Sequence, residues 1–227
     1  RFASPGTRCR VPKGCSRVRT VLIDYGAGNL HSVDKALAAA GLPAETIADP
    51  ERALGAEVLV LPGQGHFGQV MRSFEASGFE PLVRGHLATE RPFLGICVGL
   101  QLLMEGSDEA PGIDGLGLLA GRVRRFPAGG PSVPQMGWNR VRKVGDPALL
   151  ADLPDGFHAY FANSYWVDFD EPGLSGGRTR YGEVEFLSAV SRGAVHATQF
   201  HPEKSQRAGL RILRAFGRIA RAATRAA

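Results

Sequence analysis

Residues 92–99 read PFLGICVG, a short apolar run that leads directly into a cysteine with glycine two residues away on each side. Gly95 and Gly99 permit a sharp turn from a strand into a helix, which would present the side chain of Cys97 above the edge of a sheet. The free N–H groups at the start of a helix favour a cysteine thiolate. We therefore predict that Cys97 is a reactive thiol, the alternative being a small buried core residue.

Strands and helices alternate on both sides of this turn. Residues 20–24 (TVLID) and 57–61 (EVLVL) are predicted as buried strands, with a helix over 30–40 between them. A further helical segment runs to about residue 90, and a helix is predicted over 98–105. This alternation predicts an α/β fold with a central, mostly parallel sheet and helices on both faces.

The second half of the chain predicts antiparallel additions to that sheet. Five segments separated by Gly and Pro turns have strand character: 116–126, 133–144, 157–169, 180–190 and 194–200. Several are close enough to form hairpins. Arginines at 207, 211, 214, 218, 221 and 225 lie on one stripe of a terminal helix, which we interpret as its solvated face.

The charge of the chain is unevenly distributed. The net charge of +5 comes from six bases in residues 1–19 and six arginines in the last helix, whereas residues 20–206 have 15 bases and 22 acids. Neither basic end interleaves aromatic residues, so a nucleic-acid-binding role is disfavoured. We interpret residues 1–18 as a disordered basic extension and residues 19–227 as one domain. A single cysteine in this domain fits a reducing compartment, so we expect a cytoplasmic protein without a membrane span.

A second group of chemically capable residues is QFHPE at residues 199–203. His201 follows an apolar strand, and catalytic groups gather at strand ends in sheets of this kind. Glu203 lies two residues further on, where its carboxylate can hold the imidazole in one tautomer. Alone, this string is equally compatible with a surface turn. Together with Cys97 it predicts a Cys-His-Glu triad.

A third candidate is the turn PGQG at residues 62–65, which follows a strand and can present N–H groups to an oxyanion, although an ordinary loop is also possible. The string GAG at residues 26–28 resembles the start of a nucleotide fingerprint, but His31 stands where glycine is needed. The remaining histidines lack metal-ligand spacing. The sequence therefore predicts neither a metal nor a cofactor.

GICVGLQLL at residues 95–103, together with HPE at 201–203, resembles the class I glutamine amidotransferases, which release ammonia from glutamine. Three further strings resemble one group of that family, the glutaminase subunits of imidazole glycerol phosphate synthase in histidine biosynthesis. They are DYGAGNLHSV at 24–33, PQMGWN at 134–139 and QFHPEKS at 199–205. The resemblance covers residues 20–217 and implies the class I amidotransferase fold.

The resemblance implies roles for individual residues. Cys97 would attack the glutamine amide to give a glutamyl thioester, His201 would act as base and then as acid, and Glu203 would orient it. The oxyanion donors would be the turn from Gly63 to Gly65 and the N–H group of Val98. The glutamine contacts would be Gln101, Ser164 and Tyr165, with Glu109 a further candidate.

The resemblance also implies a partner. The family docks its glutaminase on a (β/α)₈ cyclase subunit, which receives the ammonia and forms imidazole glycerol phosphate and AICAR. In such a heterodimer Asn29, Trp138 and Lys204 would face the cyclase, although Trp138 could instead be a core tryptophan. Gln64 and Asn163 depart from the residues common in the family, which puts the strength of coupling between the subunits in question.

Two other interpretations stay open. The chain could feed ammonia to a different synthase, such as anthranilate or pyridoxal phosphate synthase, although DYGAGN and PQMGWN argue against it. It could also be a regulatory module on an inactive scaffold, for which loss of the triad would be the expected mark. All three triad residues are present.

Overall fold

The computed structural model describes residues 18–169 and 171–226, which build one large sheet with helices packed around it. The strands are β1 (Thr20–Ile23), β2 (Ala44–Ile47), β3 (Val58–Gly63), β4 (Phe93–Cys97), β5 (Gly106–Ser107), β6 (Arg122–Arg125), β7 (Gln135–Val144), β8 (Phe157–Asn163), β9 (Tyr165–Asp168), β10 (Gly176–Tyr181), β11 (Val184–Arg192) and β12 (Val195–Thr198). The helices are α1 (Leu30–Ala39), α2 (Pro50–Ala53), α3 (Phe67–Ala76), α4 (Glu80–Ala88), α5 (Val98–Gln101) and α6 (Gln206–Ala226). Short 3₁₀ helices span Ala148–Leu150 and Pro202–Lys204.

Five strands form the parallel part of the sheet, in the order β2-β1-β3-β4-β12. Every residue of β1, β3 and β4 is buried, as expected for strands covered on both faces. The carboxyl ends of β3, β4 and β12 lead to residues 62–65, to Cys97 and to His201. The predicted α/β fold with a mostly parallel central sheet is confirmed, and it gathers the three sequence motifs at one edge.

The predicted antiparallel additions are present beyond β12, where the strands follow in the order β11-β10-β7-β8. Two of the predicted strands are each interrupted in the structure. Segment 157–169 is interrupted at Ser164, so that β8 and β9 pair with different neighbours. Segment 180–190 contains the turn of the β10–β11 hairpin, where Gly182 has φ +60°. Segment 116–126 contributes only β6, and the half-exposed, polar edge strand β2 was missed.

The helix predicted over 98–105 was also too long, because α5 ends at Gln101. The next three carbonyls accept hydrogen bonds from a later segment instead of from the following helical turn. Leu116 donates to Leu102 at 2.8 Å, Leu118 to Leu103 at 2.9 Å and Gly117 to Met104 at 3.0 Å. Segment 116–119 is therefore bound to the end of the helix, where a strand had been expected.

Helix α6 buries Leu213 and Phe216, and its arginines are exposed apart from the partly buried Arg221. Arg218 pairs with Asp152 at 2.6 Å on the surface. Of the predicted extension over residues 1–18, only Val18 lies within the described residues, where it is buried. Among the helices described, none combines the length and apolar character needed to cross a membrane.

Candidate active site

Cys97 occupies a strained turn between β4 and α5. Its backbone angles are φ 56° and ψ −109°, a conformation that non-glycine residues rarely adopt. The neighbouring glycines make this turn possible, because a Cβ at Gly95 would lie 2.9 Å from the carbonyl oxygen of Gly99, and one at Gly99 would collide with the carbonyl oxygen of Leu61. The sequence thus encodes the predicted elbow through steric exclusion of side chains on either side of the cysteine.

His201 and Glu203 lie on the segment that follows β12, and both side chains are buried. Nδ1 of His201 is 2.8 Å from Oε1 of Glu203. The histidine backbone is fixed at both ends: its N–H group donates to the carbonyl of Tyr160 at 2.9 Å, and its carbonyl accepts from the hydroxyl of Ser205 at 2.7 Å. The imidazole is therefore held in one place and one orientation.

The protonation of His201 reflects its two acidic neighbours. Burial lowers the pKa of His201. The charge of Cys97 and its hydrogen bond to the imidazole act in the opposite direction, as do those of Glu203. Together they outweigh burial and raise the pKa to about 10. Cys97 and His201 are thus within hydrogen-bonding reach, and at neutral pH the protonated imidazole is paired with Cys97 on one side and Glu203 on the other. Such a pair couples a nucleophile to a proton donor, which acyl transfer requires.

A cavity of about 290 Å³ opens beside the sulfur. Its lining includes Cys97 and His201, and the predicted substrate-binding residues Gly65, Val98, Gln101, Ser164 and Tyr165 all contribute. Glu109 also lines it and accepts a hydrogen bond from the N–H group of Phe67 at 2.7 Å. The predicted residues from separate parts of the chain therefore converge on one cavity large enough for an amino-acid substrate.

Gly63 differs from the other predicted substrate-binding residues because it is absent from the cavity lining. It pairs with Cys97 in the β3–β4 register, and a Cβ there would lie 2.8 Å from both the backbone nitrogen of Gly99 and Cβ of Val98. The next glycine, Gly65, has φ +109°. Residues 62–65 are therefore held against the turn of the nucleophile, where N–H donors to an oxyanion are needed.

Tyr25 anchors this turn and was not identified as a site residue from the sequence. Its hydroxyl donates to the carbonyl of Pro62 at 2.6 Å. Burial, and then the charge of Cys97, raise the pKa of Tyr25, so the hydroxyl keeps its proton and remains a donor. The residue was visible within the string DYGAGN, but its side-chain partner lies 37 positions away in the chain.

The two departures from the family pattern both line the cavity. Gln64 is half-buried beside Gly65. Asn163 is buried, and its side-chain NH₂ group donates to the carbonyl of Tyr165 at 2.9 Å. Asn163 thus supports the strand that contributes to the substrate cavity.

The predicted partner-facing residues are at or near the surface. Trp138 is 48% exposed and Met136, on the same strand, is 68% exposed, so the alternative of a core tryptophan is wrong. Asn29 caps α1 by accepting from the N–H group of Ser32 at 3.3 Å. Lys204 is half-buried in the turn directly after Glu203.

Metal ligands were not expected. Within residues 18–169 and 171–226, no group of three or more His, Cys, Asp or Glu side chains has the arrangement of a metal site.

Comparison with known proteins identifies the same relationship along most of the chain. The family model for class-I glutamine amidotransferases matches residues 21–219. The imidazole glycerol phosphate synthase subunit HisH of Thermus thermophilus is 52% identical over 197 residues, covering 87% of this chain and 94% of that protein. The HisH subunit of Deinococcus radiodurans is 51% identical over 199 residues, covering 87% and 92%.

A solved structure described as a glutamine amidotransferase is similar in fold. Its TM-score is 0.69 at 22% identity, and the match covers 88% of this chain and 98% of that one. At this identity the similarity concerns the fold alone.

Proposed function

The chain belongs to the class-I glutamine amidotransferase family, and we propose that it is the glutaminase subunit of an imidazole glycerol phosphate synthase in histidine biosynthesis. It hydrolyses glutamine to glutamate and supplies the ammonia to the synthase. The observation that carries this proposal is the buried Cys97–His201–Glu203 arrangement beside an amino-acid-sized cavity. The HisH relatives support the assignment to this synthase, because the chain is about 50% identical to them over nearly their full length.

The first half of the reaction forms a covalent intermediate. The thiolate of Cys97 attacks the side-chain amide carbon of glutamine, and a tetrahedral oxyanion forms. When the C–N bond breaks, the imidazolium of His201 gives its proton to the departing nitrogen, so that neutral ammonia leaves and a glutamyl thioester remains. Glu203 stabilises the imidazolium before this transfer and fixes which nitrogen faces the sulfur.

The second half regenerates the enzyme. His201, now neutral, takes a proton from a water molecule, which attacks the thioester carbon. The C–S bond breaks, glutamate is released and the thiolate–imidazolium pair is restored. In both halves the N–H group of Val98 and those of the turn from Gly63 to Gly65 are the oxyanion donors.

The remaining cavity residues hold the substrate. Gln101, Ser164 and Tyr165 bind the amino-acid end of glutamine, with Glu109 facing its ammonium group. These four residues line the same cavity as Cys97, so that glutamine bound by them can direct its amide end to the sulfur. Glutamine analogues shortened by one methylene would not reach Cys97 from this binding site.

The partner is a cyclase subunit with a (β/α)₈ fold, bound in a heterodimer. Exposed Trp138 supports this assignment because large aromatic side chains at the surface of a rigid sheet are typical interface anchors. Asn29 and Lys204 belong to the same interface. Ammonia needs an enclosed route because in bulk solvent it would be protonated to ammonium and lose its nucleophilic lone pair. A catalyst that depends on a free thiolate fits the reducing cytoplasm.

The proposal is tested by glutamate formation from glutamine, measured for the chain alone, with the cyclase subunit, and with the cyclase and its nucleotide ligand. We expect the highest rate in the complete mixture, together with formation of imidazole glycerol phosphate. Recovery of a different synthase from cell extract, with no cyclase bound, would favour another amidotransferase. Absence of glutamate formation in the complete mixture would favour an inactive regulatory scaffold.

A further inference from the structure

Gln199 contacts the nucleophile but does not line the substrate cavity. It follows β12 and precedes the His201 segment, and its side chain is fully buried. Its Nε2 atom donates to Sγ of Cys97 at 3.7 Å, a normal distance for an N–H group and a sulfur acceptor. Gln199 is absent from the cavity lining, so it contacts the reacting sulfur without contacting the substrate.

The other end of the Gln199 amide is also occupied. Oε1 accepts a hydrogen bond from Nε2 of Gln101 at 3.1 Å. Gln101 Nε2 lies 3.4 Å from the carbonyl oxygen of Tyr165 as well. A continuous chain of hydrogen bonds therefore runs from the substrate-binding strand β9, through two buried glutamines, to the nucleophilic sulfur.

This chain has a direction that hydrogen-bonding chemistry imposes. A backbone carbonyl only accepts, so the Gln101 atom facing Tyr165 must be its NH₂ group. That NH₂ group needs an acceptor on Gln199, which turns the Gln199 carbonyl oxygen toward Gln101. The opposite side of the Gln199 amide, its NH₂ group, is then the only part that can face Cys97. Reversing the amide would set two NH₂ groups against each other and direct a carbonyl dipole at the sulfur.

We propose that Gln199 is a positioning residue for the nucleophile, which uses this directional chain to keep an N–H donor on the sulfur of Cys97. The donor stabilises the thiolate relative to the thiol and holds the sulfur at a fixed point above the elbow. Cys97 itself lines the cavity, so the sulfur remains open to it. Because the chain passes through Gln101, the orientation of the nucleophile is physically tied to the residue proposed to bind glutamine.

The effect of Gln199 on glutamine hydrolysis rests on the proposed function. Its effect on the ionisation of the Cys97 thiol does not. An N–H donor on a thiolate lowers the pH at which the thiol ionises, whatever reaction follows. Alkylation of Cys97 by iodoacetamide measures that ionisation without glutamine. A failure of the glutaminase assignment and a failure of this inference are therefore distinguishable.

The test uses the full chain with Cys9 and Cys15 replaced by serine, so that Cys97 is the only thiol. The rate of alkylation by iodoacetamide is measured from about pH 5 to about pH 10. Gln199→Met removes both polar ends at nearly constant volume, and we expect the midpoint of the pH–rate curve to rise by about one to two pH units. Gln199→Glu introduces a like charge and should raise it further. Gln69→Met, an exposed glutamine on α3, is the matched control and should leave the midpoint unchanged.

A second variant keeps the inference testable if Gln199→Met does not fold. Gln101→Met leaves Gln199 in place but frees its amide to rotate, so a smaller rise of the midpoint is expected. In the complex with the cyclase, Gln199→Met should lower kcat about tenfold near neutral pH with KM changed less than about twofold, and the loss should diminish at alkaline pH.

A purely structural role for Gln199 would lower the melting temperature and leave the midpoint of alkylation where it is. Folded Gln199→Met with an unchanged midpoint would overturn the inference. If that variant is unfolded, unchanged midpoints in both Gln199→Glu and Gln101→Met would overturn it.

Discussion

Nδ1 of His201 lies 2.8 Å from Oε1 of Glu203, only two residues further along the chain. Both side chains are buried, and the other carboxylate oxygen of Glu203 has no hydrogen-bond partner among the described residues. A buried carboxylate with one partner depends strongly on that partner's positive charge. The short segment through Pro202 therefore holds the imidazole and the carboxylate together. The positive charge on the imidazole and the negative charge on the carboxylate stabilise each other.

This coupling predicts a large effect of Glu203→Gln. The amide keeps the shape of the side chain but removes the charge that stabilises the imidazolium and the constraint that selects the tautomer. We expect kcat for glutamine hydrolysis in the complex to fall by about 10²–10⁴-fold, with a much smaller change in KM. Glu185→Gln removes a carboxylate that pairs with Arg142 on the surface, and this control should retain full activity. Equal activity of Glu203→Gln and Glu185→Gln would contradict the role assigned to Glu203.

A steric prediction concerns the floor of the site. In Gly63→Ala the new Cβ would lie 2.8 Å from the backbone nitrogen of Gly99, which forces the oxyanion turn and the elbow apart. Since displacements of about 1 Å can cost two orders of magnitude in rate, we expect kcat to fall about 10²-fold. Gly85→Ala in α4 meets nothing within 4 Å and should stabilise the helix by about 1 kcal/mol without affecting kcat. Steady-state kinetics and thermal unfolding of both variants separate the two effects.

A third prediction concerns acid stability and a histidine remote from catalysis. His196 on β12 is buried, and burial lowers its pKa to about 4. Its Nδ1 atom lies 3.1 Å from the hydroxyl of Ser191, and its ring packs edge-on against Phe216. In the unfolded chain His196 becomes protonated below its ordinary pKa of about 6.5, whereas in the folded chain it becomes protonated only near pH 4.

Protonation of His196 therefore favours the unfolded chain. The contribution of His196 to stability is fully present above about pH 6.5 and is lost as the pH falls to about 4, a loss of about 3 kcal/mol. His196→Gln should remove this part of the pH dependence, whereas His158→Gln, at an exposed position of β8, should not. Urea unfolding at several pH values measures both slopes. Identical slopes in wild type and His196→Gln would show that His196 titrates normally.

A fourth prediction tests the proposed interface. Trp138→Ala removes an exposed indole that packs edge-on against Tyr160. We expect the affinity for the cyclase to fall by about 2 kcal/mol or more, roughly 30-fold, with little change in melting temperature. Leu54→Ala is the control, since Leu54 is 64% exposed and lies between α2 and β3, and four strands separate β3 from β7 in the sheet. Calorimetric titration that gives the same Kd for both variants would place the interface elsewhere.

The parts of the structure that could be predicted from sequence are those with local causes. The apolar strands β1, β3 and β4 and the Gly-Cys-Gly elbow follow from residue patterns within five to seven positions. The triad could be paired because both motifs follow strands whose carboxyl ends share one edge of the sheet. The end of α5 could not be predicted, because it is set by hydrogen bonds from segment 116–118 that no local pattern encodes.

The hydrogen-bond partners within the site were equally hidden. Gln199 is separated from Cys97 by 102 positions and from Gln101 by 98, and Tyr25 is 37 positions from Pro62. Such partnerships depend on the order of strands in the sheet, in which β4 lies between β12 and β3. Motifs therefore identified the reacting groups, and tertiary structure was needed to find the residues that hold them.

In the proposed mechanism Cys97 forms the covalent intermediate of glutamine hydrolysis, and trapping that intermediate is the decisive measurement. The complex with the cyclase and its nucleotide ligand is mixed with radiolabelled glutamine and quenched in acid within the first turnover, and the labelled peptide is identified. We expect a glutamyl group on Cys97 in the wild type. In Cys97→Ala we expect no label and no ammonia release, although the cyclase still binds. Label on another residue, or ammonia release retained in Cys97→Ala, would contradict this mechanism.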